Sequence, residues 1–117
     1  MARTSLPGEL EQTVLLALAA REEEASAAEI YDLIVRATKR DLSVAAVHIT
    51  LARLEDKGWA EVRTTPPEPG KGGKPRKFFQ LSEDGGHILS KARAHYEALW
   101  RGAAGHPYVN AKNRGKR

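Results

Sequence analysis

Cysteine is absent, methionine occurs once, and aromatic residues make up only 6% of the chain. Without thiols there is neither a disulfide framework nor a thiolate metal site, which fits a reducing cytoplasm. No apolar run approaches the length of a membrane span, and the opening MARTSLPGEL lacks a signal-peptide core, so no membrane partner and a cytoplasmic location are expected. No repeat recurs at a period typical of solenoids. Catalytic patterns are missing too. His48, His87, His95 and His106 are scattered, with no carboxylate at metal-ligand spacing. No serine sits in a nucleophile elbow, and nothing pairs a nucleophile with a base. Gly70-Lys71-Gly72-Gly73-Lys74 lacks the spacing of a phosphate loop and is followed by Pro75, so it opens no helix. The chain is therefore read as a non-enzyme with no metal and no cofactor.

What is present suffices for one domain. The sequence has 117 residues, 41% of them hydrophobic, enough for a single modest core. The formal charge of +4 is unevenly spread. Residues 1–57 carry seven basic and ten acidic side chains, whereas residues 58–81 carry five basic and two acidic. Residues 82–101 balance at three each, and residues 102–117 add four basic side chains and no acid. Positive charge thus gathers in a Gly/Pro-rich loop and in the tail, a distribution that suits a polyanionic partner.

Hydrophobic periodicity predicts four helices and a hairpin. Leu10, Val14, Leu15 and Leu18 form a stripe through a helix from Glu9 to Arg21, followed by Glu22–Glu24 as a solvated connector. Ser26 and Glu29 form a capping box for a second helix that turns Ile30, Leu33, Ile34 and Ala37 inward. After the short link Asp41-Leu42, Ser43 caps a third helix with Val44, Val47, Leu51 and Leu54 inside, stopped by Gly58. The outer face of that helix carries Ala45, Ala46, Ile49, Ala52 and Arg53, with His48 and Thr50 on its flanks. So slim a face suits a helix that lies against another surface, such as the floor of a DNA major groove; an ordinary amphipathic helix is the alternative. Trp59–Thr65 and Lys77–Leu81 read as strands around a basic loop. Three helices and a hairpin with a basic tip make a winged helix-turn-helix, mainly α with a small β-hairpin wing, over residues 1–81. Ser82 caps a last helix, 82–101, ended by Gly102. On it Ile88, Leu89, Ala92, Tyr96, Leu99 and Trp100 recur at the spacings of a two-helix seam. The basic tail, 102–117, has no periodicity and is expected to be disordered in isolation.

These segments carry a family resemblance. LEQTVLLALA in the first helix, AEIYDLI in the second, LSVAAVHITLARLEDKGW in the third and GGKPRKFFQLSEDGG across the wing resemble the PadR family of winged-helix transcriptional regulators, in its short form with one C-terminal helix. The resemblance covers roughly residues 9–101. It implies a homodimer that represses promoters by placing the third helix and the wing on double-stranded DNA, and it implies dimerisation through the C-terminal helix. The chain departs from the family pattern at two places: His48 stands where tyrosine is common, and Ala27-Ala28 stands where glycine followed by tyrosine is common.

The candidate DNA-binding set is Ser43, Ala45, His48, Ile49, Thr50 and Arg53 on the third helix with Lys71, Lys74 and Arg76 on the wing. His48 can donate to a base edge or phosphate, or remain a solvated flank residue. Ile49 can meet a thymine methyl, or be a singly exposed apolar residue without a role. Clustered wing cations are read as phosphate binders rather than as a solubilising loop. Trp59, Phe78 and Phe79 are read as packing. Tyr96 and Trp100 are read as dimer packing, the alternative being an aromatic site for a flat inducer between subunits, as ligand-responsive relatives suggest. Symmetry favours an inverted-repeat operator. A winged helix that docks another protein through the apolar outer face is the alternative function.

Overall fold

Four helices and one hairpin follow one another in the predicted order. In this computed structural model, which describes residues 5–66, 70 and 73–109, α1 spans Glu9–Ala19, α2 Ala27–Thr38, α3 Val44–Asp56, β1 Ala60–Thr65, β2 Arg76–Leu81 and α4 Glu83–Ala103. The fold is a winged helix-turn-helix with a long C-terminal helix.

Short polar side chains set the helix starts. The Ser26 hydroxyl accepts from the Glu29 amide at 3.2 Å, and the Glu29 carboxylate accepts from the Ser26 amide at 2.9 Å, completing the capping box. The Ser43 hydroxyl accepts from the Ala46 amide at 3.0 Å. α3 ends as its glycine requires. The Trp59 amide donates to Leu54 at 2.9 Å and the Gly58 amide to Glu55 at 3.0 Å, with Gly58 at φ +79.

The three stripes meet in one core, whose largest fully buried side chains are Val14, Leu15, Leu18, Ile30, Ile34, Val47, Leu51 and Leu54. Fully burying each such side chain contributes about 1.5–3 kcal/mol, so this cluster is the main force joining α1, α2 and α3. The stripes fray at their ends. Val44, the first residue of α3, is 41% exposed, and Ala37, in the last turn of α2, is also exposed.

The hairpin is antiparallel, with Val62 opposite Phe79 and Arg63 opposite Phe78. Its second strand also has a neighbour on the other side. Ala25 and Phe79 exchange both backbone hydrogen bonds, at 2.9 and 2.8 Å. The acidic connector is therefore more than a solvated link. The two Glu24 carboxylate oxygens accept from Arg63 Nε at 2.9 and 2.8 Å, and one also accepts from Arg63 Nη2.

α4 starts against the turn that ends α3. The Ser82 hydroxyl donates to the Gly58 carbonyl at 2.7 Å and accepts from the Gly85 amide at 2.9 Å, while the Ser82 amide donates to the Trp59 carbonyl at 3.1 Å. A Cβ on Gly85 would lie 2.1 Å from that Trp59 oxygen, so the approach requires glycine. The helix runs through Gly102, where no left-handed turn forms, and reaches Ala103. Beyond it the chain turns, the Val109 amide donating to the His106 carbonyl at 3.0 Å. Residues 110–117 of the predicted tail lie outside the described residues.

Candidate nucleic-acid interface

The amphipathic pattern of α3 turns Ser43, Ala45, His48, Ile49, Ala52 and Arg53 to the surface, with Ile49 58% exposed. Thr50 is a correction to the predicted set. It is 3% exposed, and its hydroxyl donates to the Ala46 carbonyl of its own helix at 2.8 Å. Its spacing explains this: three residues after Val47 and four before Leu54, it belongs to the inner stripe.

An open groove of about 580 Å³ separates the start of α2 and the middle of α3 from β2. Ser26, Ala27, Ala28, His48, Lys74, Pro75, Arg76, Lys77 and Phe79 line it. It brings together three of the predicted residues, His48, Lys74 and Arg76. Arg53 does not line it, lying more than a helical turn further along α3. Lys71 lies outside the described residues. Lys77 joins the groove although it reads as a strand residue in the sequence. The available signal was alternation, since Lys77 precedes the buried Phe79 by two and shares its strand face.

Cations elsewhere are mostly engaged. Arg40 pairs with Glu9 at 2.5 Å, Lys57 with Glu11 at 2.8 Å, Arg93 with Glu97 at 2.8 Å and Arg21 with Glu29 at 3.7 Å, and Arg36–Asp32 and Arg63–Glu24 are also paired. Among the described residues Arg53, Lys74, Arg76 and Lys77 form no ion pair, like Lys39, Lys91 and Arg101 at other places. The Arg76 and Arg63 guanidinium groups both lie over the Phe78 ring, 5.4 and 5.1 Å from its centre. Hydrogen bonding from Arg63 lowers the Glu24 carboxyl against the effect of its burial, with the arginine's charge adding to it. The Glu29 carboxyl is also lowered, first by the Ser26 amide, against burial, and then by the charge of Arg21, the Ser26 hydroxyl and the charge of Arg76. Three cations and an imidazole thus converge beside a helix of slim outer face. That arrangement can neutralise phosphates while the helix backbone approaches a groove floor.

The predicted seam on α4 divides in two. Ile88 and Ala92 are buried within their own chain, and Leu89 packs partly against the same core. The docking of Gly85 on Trp59 draws this first half of α4 inward. Tyr96, Leu99 and Trp100 are 42%, 59% and 60% exposed, and with Ala103 and Val109 they line a shallow cleft of about 160 Å³. Among the described residues no group of His, Asp or Glu is placed to hold a metal, and no helix is long and apolar enough to cross a membrane.

No protein-family model matches the chain, and no curated protein matches it. Solved structures do. A PadR-like transcription factor from Bacteroides fragilis superposes with a TM-score of 0.67 at 21% identity, covering 81% of this chain and 86% of that one. A PadR-family transcriptional regulator from Eggerthella lenta gives 0.63 at 21% identity, over 82% and 83%. A Streptococcus transcriptional regulator gives 0.62 at 24% identity, over 82% and 89%. The winged-helix fold of PadR regulators, expected from the sequence motifs, is the fold of this chain.

Proposed function

We propose that this chain is a transcriptional regulator of the PadR type, a homodimer that binds double-stranded DNA at an inverted repeat and represses from it. The observation that carries the reading is the convergence of His48, Lys74, Arg76 and Lys77 beside the exposed face of α3. The solved structures that share the fold are described as transcription regulators, which points the same way. In this reading α3 enters the major groove, with Ile49 against a thymine methyl and Arg53 toward a guanine, while the wing cations hold flanking phosphates. Tyr96, Leu99 and Trp100 join two protomers and set half-sites about one helical turn, roughly 10 base pairs, apart. A flat aromatic inducer would lodge against the same aromatic pair.

Selection of bound sequences from a random DNA pool, followed by footprinting, tests the proposal. An enriched palindrome protected on both halves is expected. Recovery of no motif, with binding unaffected by salt, would favour protein docking through α3, a reading supported by the exposure of Ile49 between Ala45 and Ala52.

A further inference from the structure

The groove between α2, α3 and β2 contains one side chain of the type whose charge changes near neutrality. His48 lines it beside Lys74, Arg76 and Lys77, with Ala28 and Phe79 supplying apolar surface. Among the described residues no carboxylate lines the groove. Glu29 on α2 lies in the field of Arg76 and is already held by the Ser26 amide at 2.9 Å and by Arg21 at 3.7 Å. On α3 itself, the cation on the exposed face is Arg53. An imidazole set among cations gains most from a proton when an anion enters the same space.

We infer that this groove seats one DNA backbone phosphodiester per protomer and that His48 takes up a proton from solvent as the phosphate arrives. DNA affinity then rises as the pH falls through the imidazole range. The inference rests on the DNA-binding reading and adds to it a named phosphate site and a linked proton. Lys74, Arg76 and Lys77 supply the fixed charge, and His48 supplies the part that pH controls.

The test uses the full chain and a random-sequence duplex, with affinity followed by fluorescence anisotropy over a range of salt at about pH 6 and about pH 8. Wild type should bind several-fold more tightly at the lower pH. Its slope of log affinity against log salt should steepen by about 0.9 for each histidine that becomes charged against a phosphate. His48→Gln, a change at an exposed position, should show the same affinity and the same slope at both pH values. Wild-type binding that ignores pH would overturn the inference and leave the DNA reading standing. A pH dependence that survives His48→Gln would overturn it too, since His87, His95 and His106 lie on α4 and the turn beyond it. Absence of DNA binding at either pH would overturn both.

Discussion

Glu11 shows how one acidic residue ties distant segments together. Its side chain is 11% exposed and accepts from Lys57 Nζ at 2.8 Å and from the Gly8 amide at 3.1 Å, so it caps α1 and holds the end of α3. Burial alone would raise its carboxyl. The Lys57 hydrogen bond, the Gly8 amide and the charges of Lys57 and Arg53 outweigh that effect and lower it below the ordinary 4.5. A carboxyl lowered on folding adds stability that is fully present above its unfolded value and lost as pH falls through the folded one. Glu11→Gln should therefore cost about 1–2 kcal/mol at neutral pH in urea unfolding, and the gap to wild type should close in acid. A gap that persists below the carboxylate range would remove the ion pair from the explanation. Glu24 holds the wing in a comparable way, through Arg63 and beside the Ala25–Phe79 bridge. Glu24→Gln should speed amide exchange at Ala25 and Phe79. Exchange that stays at the wild-type rate would show that the bridge alone secures the hairpin.

At the scale of elements, what was legible in the sequence was local. As caps, Ser26 with Glu29, Ser43 and Ser82 bond backbone amides within a few residues of themselves, and Gly58 stops its helix where the pattern places it. Contacts between segments far apart in the chain left no such pattern. Glu11 meets Lys57 and Glu24 meets Arg63 across 46 and 39 residues, and nothing in the spacing of either pair announces the contact. The groove was legible in part, because basic residues beside a slim helix stand out, whereas Lys77 depended on which strand face meets the core. Thr50 and the first half of the α4 seam were misplaced for a related reason. A helical stripe shows that a face is covered, not whether its own domain or another molecule covers it. Gly85 decides this for α4. Gly85→Ala sets a methyl 2.1 Å from the Trp59 carbonyl and should cost about 1–3 kcal/mol in chemical denaturation as α4 is pushed off the turn. Stability equal to wild type would mean that α4 docks without that approach.

At the scale of the whole molecule, every residue from 93 to 109 is exposed, and the apolar ones include Tyr96, Leu99 and Trp100. In the proposed dimer a second copy covers them. Leu99→Asp with Trp100→Asp should give monomers in sedimentation with unchanged circular dichroism, because neither side chain serves the protomer's own core. Ile88→Asp should instead unfold the domain, since that side chain is 6% exposed within the core. Monomers hold a single half-site, so operator affinity should collapse with the seam. A wild-type chain that sediments as a monomer at micromolar concentration would contradict the dimer.

The central claim is that α3 and the wing form a DNA-binding surface whose affinity comes from phosphate neutralisation. The salt dependence of duplex binding tests it most directly. If a dimer neutralises roughly six phosphates, log affinity should fall against log salt with a slope near −5, and replacing Lys74, Arg76 and Lys77 together by alanine should flatten it markedly. A slope near zero in wild type, or one that the triple replacement leaves unchanged, would contradict the account.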